Sequence, residues 1–351
     1  MDNIDSTIMV PSRIIIDKSD TVEIDKTFNT EAIFDVKRII GKNFEEITKM
    51  GWKWPFEIIE NRGRVKLKPI NTDKTYSPEE ILLKLLNELL YLAEKKYNIS
   101  IREAIIAVPV YFTEKQKESI YAAATFAGIH VPELIQEPVA SFFEYRYNRG
   151  IIANETVVLI LDLGGGTFDV ALLKYEESKY EIESTGGDGS LGGIEFDGKV
   201  AELIEGFIPK KYSEQLKNAD VKARLIKESE KVKRELSEKK SVQIPLSSLI
   251  PSSQDDIHIT VTRESFEIAV QPLLTKMKKA IQKTIQKSNE QDINVVLFTG
   301  RGCKMPCFEK DILGDIFKKD PKIFKFVENS VVNGAARYAF EFYKEKANQS
   351  V

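Results

Sequence analysis

The sequence of 351 residues contains only two cysteines and two histidines, and it has no apolar run approaching the roughly 20 residues of a membrane span. A net charge of −3 gives no general electrostatic attraction to nucleic acid or to an anionic membrane. His130 and His258 lie far from any candidate nucleophile, which disfavours a catalytic triad. The acidic residues 1–5 lack the layout of a signal peptide. These absences predict a cytoplasmic protein that binds neither nucleic acid nor membrane.

The two cysteines, Cys303 and Cys307, are four positions apart. That spacing could hold a metal, but no histidine lies near and two thiolates are too few for a closed zinc site. Two reduced, partly buried thiols are therefore the favoured interpretation.

Two familiar nucleotide-binding motifs are also missing or out of place. The pattern G-x-x-x-x-G-K-[ST] of P-loop proteins does not occur. Residues 187–192 fit G-x-G-x-x-G, but a dinucleotide fold needs a second strand ending in an acid soon afterwards. A long polar stretch with a helical pattern follows instead, which excludes that interpretation.

The remaining composition, 42% hydrophobic and 30% charged, is typical of a soluble globular protein. The length predicts two or more domains. Predicted strands and helices alternate along the chain, which favours an α/β architecture. The clearest helix begins after Ser77, which forms a capping box with Glu80, while Pro78 suits the first helical position. An apolar stripe carries this helix to about residue 96.

A triple glycine, Gly164, Gly165 and Gly166, separates two apolar runs at 157–161 and 170–173. This pattern predicts two paired strands around a tight turn. Glycines let the backbone N–H groups approach a phosphate closely. The alternative, an ordinary hairpin with a glycine-rich turn, remains open on this segment alone.

Asp162 and Asp169 flank this turn, and Thr167 places a hydroxyl on it. Carboxylate oxygens beside a phosphate suit a hydrated Mg²⁺. The segment therefore predicts a combined phosphate and magnesium site.

Several segments together resemble the ATPase domain of the seventy-kilodalton heat-shock chaperones (DnaK-like). Their order and spacing match that family from about residue 11 to 345. Residues 34–41 follow the family's catalytic-lysine segment, 108–112 follow V-P-A-Y-F, and 136–140 follow N-E-P-T-A. Residues 162–169 follow the second phosphate loop, 191–197 follow L-G-G-E-D-F-D, and 299–306 follow the last nucleotide loop. The resemblance implies an α/β fold of the actin and hexokinase (ribonuclease H-like) type with two lobes.

The resemblance also implies functional residues, with ATP or ADP and Mg²⁺ as cofactors. Lys37, Glu137, Asp162 and Thr167 would be catalytic, with Lys37 facing the γ-phosphate and Glu137 acting through water. Asp162 and Asp169 would hold the hydration shell of the metal. The implied nucleotide-binding residues are Gly164, Gly165, Gly166, Glu230, Lys233, Arg234, Ser237, Gly300 and Lys304.

The implied domains are a first lobe at 1–153, a second lobe at 154–330 with an adenosine-binding helical subdomain, and a helix at 331–351 that returns to the first lobe. The sequence lacks the family's first phosphate loop, I-D-L-G-T-T, which would precede residue 10. In the last nucleotide loop, Arg301 stands where the family has Gly, and Lys304 stands where it has Arg. We therefore expect an incomplete first lobe, no peptide-binding domain and weak or absent ATP turnover.

The implied function is ATP hydrolysis coupled to protein folding in the stress response, with a J-domain protein and a nucleotide-exchange factor as possible partners. The alternative is a catalytically impaired remnant or a non-enzymatic module that binds nucleotide or co-chaperones. A sugar kinase of the same fold is disfavoured, because residues 108–112 and the adenosine segment follow the chaperone pattern.

Overall fold

The computed structural model describes residues 10–26, 29, 31–51, 54–70, 72–149, 156–177, 179–290, 292–313, 316–317, 321–326 and 329–349. The chain forms two compact units. Unit 1 comprises Met1–Val108, Phe112–Ile135 and Ala339–Val351, and unit 2 comprises Pro109–Tyr111 and Gln136–Tyr338. The predicted lobe boundary at 153/154 lies outside the described residues, and the division into lobes stays a prediction.

Unit 1 contains three two-stranded pairs, β1 with β2, β3 with β4 and β5 with β6. The strands are β1 (Ile14–Ile16), β2 (Val22–Ile24), β3 (Glu57–Asn61), β4 (Arg64–Lys68), β5 (Ile106–Val108) and β6 (Leu134–Gln136). The helices are α1 (Val36–Ile39), α2 (Phe44–Lys49), α3 (Pro78–Tyr97) and α4 (Glu114–Phe126). The predicted start of α3 is confirmed: the Ser77 hydroxyl accepts from the Glu80 N–H at 3.1 Å.

The apolar pattern of residues 104–110 suits a longer strand, but only β5, Ile106–Val108, is a strand there. Pro109 has no N–H to extend the ladder. Ala104 donates instead to the His130 carbonyl in an isolated bridge.

Unit 2 is built on a five-stranded sheet in the order β13-β12-β7-β8-β9. β12 runs parallel to β7 and β13, while β7, β8 and β9 are antiparallel, and β10 pairs separately with β11. The strands are β7 (Thr156–Leu163), β8 (Phe168–Glu176), β9 (Lys179–Asp188), β10 (Ser241–Pro245), β11 (His258–Thr262), β12 (Val295–Thr299) and β13 (Lys322–Phe326). The helices are α5 (Glu137–Arg149), α6 (Gly193–Phe207), α7 (Ala219–Leu236), α8 (Leu246–Leu249), α9 (Arg263–Gln286), α10 (Pro306–Leu313) and α11 (Ser330–Gln349), the last of which continues into unit 1.

β7 is buried along its whole length, because both faces of the sheet are covered. Leu159 and Leu161 point into a core that includes Phe196 of α6. Val158 and Ile160 point the other way, into a core that includes Phe142 of α5. This alternation fixes the direction in which the end of β7 presents its side chains.

None of the helices in the described part of the chain has the length and apolar character of a membrane span.

Candidate functional site

The glycine loop, residues 164–167, connects β7 to β8. Asp162 and Asp169 are cross-strand partners just before and after it. The Gly164 N–H donates to the Thr167 carbonyl at 3.0 Å and closes the turn. The predicted arrangement of strand, turn and strand is confirmed.

The N-terminus of α6 lies against the carbonyl side of the glycine loop. Gly193 N–H donates to the Gly164 carbonyl at 3.0 Å, and Ile194 N–H donates to the Gly165 carbonyl at 2.9 Å. In a trans peptide the N–H that follows a carbonyl points the opposite way. The N–H groups of Gly165 and Gly166 are therefore directed away from α6, as in backbone concavities that bind anions.

Two glycines allow the backbone to enclose this loop. A Cβ on Gly192 would lie 2.4 Å from the carbonyl carbon of Gly166 and 2.5 Å from the nitrogen of Thr167. Gly300 follows β12 with φ of 80°, and a Cβ there would lie 2.7 Å from Asp162 Oδ1. Neither position has room for a side chain, so the backbone closes against the loop at Gly192 and against the end of β7 at Gly300.

The carboxylates at the end of the hairpin form a buried pair. Asp162 is 5% exposed and Asp169 is 0% exposed. Asp169 Oδ1 accepts from the Val110 N–H at 2.9 Å, which fixes that side chain. Directly opposed like charges repel each other, and a cation beside them relieves the repulsion. These oxygens, with the buried Thr167 hydroxyl, are the donor type that Mg²⁺ prefers.

A 3₁₀ turn, Arg301–Lys304, follows Gly300. Cys303 is buried in it and donates from Sγ to the Thr299 carbonyl at 2.9 Å. Burial raises the pKa of this thiol well above its usual value, so it stays neutral. The side chain of Lys304 is exposed. The predicted free thiols are confirmed, although Cys303 and Cys307 are fully rather than partly buried.

The predicted adenosine residues follow the spacing i, i+3, i+4 and i+7 and share one face of α7. Glu230 forms an ion pair with Arg234, and the Ser237 hydroxyl donates to the Lys233 carbonyl at 3.4 Å. The structure thus places these four residues together. Their contacts with adenosine stay a prediction.

Lys233 also connects α7 to the start of α6. Its ammonium donates to the Gly193 carbonyl at 3.0 Å and lies 2.7 Å from Asp197 Oδ1. Both side chains are only 12–13% exposed. Burial raises the pKa of the Asp197 carboxyl above its ordinary value, and the ammonium of Lys233 opposes that rise. The ion pair therefore positions the helix that contacts the glycine loop.

Replacing Lys233 with methionine should lower the free energy of unfolding by about 3 kcal/mol at pH 7, because a buried carboxylate loses its partner. The folded state of K233M then holds the Asp197 proton more tightly than the unfolded chain does. Stability therefore falls as the pH rises above the unfolded pKa of about 3.9, so the deficit should be smallest in acid. Urea titrations at several pH values measure this.

Two variants serve as controls for K233M. The double variant K233M/D197N should recover most of the lost stability, since no buried charge remains. Lys231→Met, at an exposed position of the same helix, should change stability by less than about 0.5 kcal/mol. An equal deficit for K233M at every pH would contradict the assignment of the effect to the Asp197 charge.

The other two predicted catalytic residues lie in different units. Glu137 begins α5 in unit 2. Lys37 lies in α1 of unit 1, where its side chain is exposed between the buried residues Val36 and Arg38. The catalytic roles of Lys37 and Glu137 stay predictions.

Sequence reasoning gave no role to Gly192, Asp197 or Val110, which shape the site. For Gly192 the sequence did hold a signal, because Gly192 and Gly193 come directly before a helical pattern. Asp197 forms an ion pair with Lys233, 36 positions away, and the Val110 N–H donates to Asp169, 59 positions away. No local sequence pattern indicates such pairs.

The sequence model of the family described as "Hsp70 protein" matches residues 21–340. The chain belongs to the Hsp70 family. Among similar family members, the chaperone protein DnaK of Thermus thermophilus is 33% identical over 315 residues, covering 87% of this chain and 50% of its own. The chaperone protein dnaK of Thalassiosira pseudonana is 32% identical over 309 residues, covering 86% of this chain and 51% of its own.

A third family member, the stromal 70 kDa heat shock-related protein of Pisum sativum chloroplasts, is 31% identical over 309 residues. That match covers 86% of this chain and 43% of the relative. The chain therefore spans about half the length of the Hsp70 relatives it matches. The family resemblance predicted from the sequence motifs is confirmed.

Proposed function

We propose that this chain is the ATP-binding, ATP-hydrolysing part of an Hsp70-type chaperone. The observation that carries the proposal is the glycine loop, whose carbonyls bond to α6 while the N–H groups of Gly165 and Gly166 point the other way beside two buried carboxylates. The similarity to chaperones over 87% of the chain supports this function. The alternative, an impaired remnant with weak ATP turnover, stays a prediction that rests on the sequence departures such as Arg301 and Lys304.

The donor set fits a magnesium nucleotide. The N–H groups of Gly165 and Gly166 would bind a phosphate oxygen, and Asp162 and Asp169 would hold the hydration shell of Mg²⁺. When bound, Mg²⁺ neutralises charge on the phosphate oxygens. Thr167 would contact the terminal phosphate, and Glu137 would orient the attacking water as a hydrogen-bond acceptor. Gly300 keeps the wall beside Asp162 free of a side chain.

The same proposal assigns Glu230, Lys233, Arg234 and Ser237, on and at the end of α7, to adenosine, and Gly300 and Lys304 of the last loop to the nucleotide. We further propose that the fold is of the actin and hexokinase type and that the partners are a J-domain protein and a nucleotide-exchange factor. The proposal also states that ATP hydrolysis is coupled to protein folding under stress and that the protein is cytoplasmic.

The variant Asp169→Asn tests the magnesium site. Asparagine Oδ1 can still accept from the Val110 N–H, so the fold should persist while one charge is lost. We expect Mg²⁺-dependent binding of a fluorescent ATP analogue to weaken at least about tenfold. Without Mg²⁺ or nucleotide, D169N should match the native chain in stability to within about 1 kcal/mol, because the hydrogen bond from the Val110 N–H persists.

Asp220→Asn, at an exposed acid in α7, is the matched control and should bind the analogue normally. The two readouts separate a lost ligand from a damaged fold. Mg²⁺-dependent binding by D169N equal to that of D220N would refute the proposed site.

A further inference from the structure

A groove of about 500 Å³ lies in unit 1, well within the size range of ligand pockets. Its walls are the turn between α1 and α2, the turn of the β3–β4 hairpin and the start of α3. Lys115 and Phe126, at the two ends of α4, complete it. No residue assigned above to nucleotide binding lines this groove.

The groove carries an excess of positive charge. Lys42, Arg64 and Lys115 line it, and within the described ranges no hydrogen bond or ion pair engages their charged ends. Its acids are already engaged: Glu80 forms an ion pair with Lys66 at 3.0 Å, and Glu79 accepts from the Ser119 hydroxyl at 2.8 Å. Counting Lys66, four cations line the groove against two acids, so the lining carries an excess of two positive charges.

An aromatic ring lies beside these charges. Phe126 is 78% exposed, the highest exposure among the large apolar side chains described. Leu83 of α3 contributes a partly buried apolar side chain to the same wall. A ligand that covered both would remove apolar surface from water as well as meet the charges.

The groove is already shaped before a ligand arrives. Gly41 has φ of 71°, and a Cβ there would lie 2.7 Å from Cα of Gln116 in α4. This backbone contact holds the turn that carries Lys42 directly against the helix that carries Lys115. Binding to such a surface costs little ordering of the protein.

We propose that this groove binds an acidic peptide segment of a partner protein, with an aromatic or leucine side chain of the segment packed on Phe126. Charge complementarity identifies the partner chemistry, since four cations line the groove against two acids, and both acids are already engaged by Lys66 and Ser119. A lone phosphate ion would fill only part of the space and would leave Phe126 uncovered.

The test selects a phage library of random decapeptides on the full chain and compares it with the double variant R64E/K115E. Both positions are exposed, so the variant should fold and bind nucleotide as before. We expect the native chain to enrich peptides with several acids around an aromatic residue or leucine. R64E/K115E should not enrich them.

The enriched peptide, labelled with fluorescein, then gives affinities by anisotropy. The dissociation constant of the peptide should be at least about tenfold higher for R64E/K115E than for the native chain. For the native chain it should also rise as salt is added. F126A should weaken binding too. Lys279→Glu/Lys283→Glu, which makes the same charge change at exposed positions of α9 in unit 2, is the matched control and should bind normally.

Three results would overturn the proposal. They are enrichment of no acidic motif, equal binding of the enriched peptide to R64E/K115E, and full competition by millimolar inorganic phosphate, which would indicate a small-anion site. Nucleotide binding is measured in parallel, so failure here is separable from failure of the proposed ATP site.

Discussion

Replacing Gly192 with alanine is expected to abolish nucleotide binding and to lower the free energy of unfolding by about 3 kcal/mol. The new Cβ would lie 2.4 Å from the carbonyl carbon of Gly166, and backbone cannot rotate aside as a flexible side chain can. The start of α6 must then move off the glycine loop. The hydrogen bonds that direct the N–H groups of Gly165 and Gly166 would be lost with it.

Gly198→Ala is the matched control, because it makes the same change in the same helix where a Cβ meets nothing within 4 Å. Alanine there should leave binding intact and stabilise the helix by up to about 1 kcal/mol. Chemical denaturation and titration with a fluorescent ATP analogue measure both effects. Tight binding by G192A would show that the contact between α6 and the loop does not shape the site.

Replacing Gly334 with alanine should destabilise unit 2 by about 3 kcal/mol or more. The Cβ would lie 1.7 Å from the carbonyl oxygen of Ala140, so α11 and α5 must separate. Arg337 donates to Glu144 across the same helix pair at 2.6 Å, and Glu144 is only 7% exposed. Separating the helices therefore also strips a buried carboxylate of its partner.

Val332→Ala tests whether α11 tolerates substitution in general, since this side chain is 63% exposed. It should change the free energy of unfolding by less than about 0.5 kcal/mol. Thermal and urea unfolding of G334A and V332A would settle the comparison. Matching stabilities for the two variants would mean that α5 and α11 do not approach as closely as the structure shows.

The elements that sequence reasoning predicted well are those determined by neighbouring residues. The capping box at Ser77 and the apolar run before Gly164 both act over a few positions, and α3, β7 and β8 appear where they were expected. β13, Lys322–Phe326, was not predicted. Its strand state depends on parallel pairing with β12, more than 20 positions earlier, and no local pattern encodes that register.

The same distinction holds within the site. A glycine triplet between acids is visible in sequence, so the loop and its carboxylates could be predicted. The ion pair of Lys233 with Asp197 could not be predicted, because helical spacing places the lysine on the same face as Glu230 but does not reveal that Asp197 lies opposite it. Likewise, only the packed structure shows that Gly192 touches Gly166.

The attachment of α6 to the glycine loop connects that loop with a distant point on the surface of unit 2. A helix of 15 residues is about 22 Å long and moves nearly as a rigid rod. Gly193 and Ile194 donate to the loop carbonyls, so backbone hydrogen bonds join the loop to the first turn of this helix. Its far end carries Phe207, which is 54% exposed. One continuous helix thus runs from the glycine loop to an aromatic side chain on the protein surface.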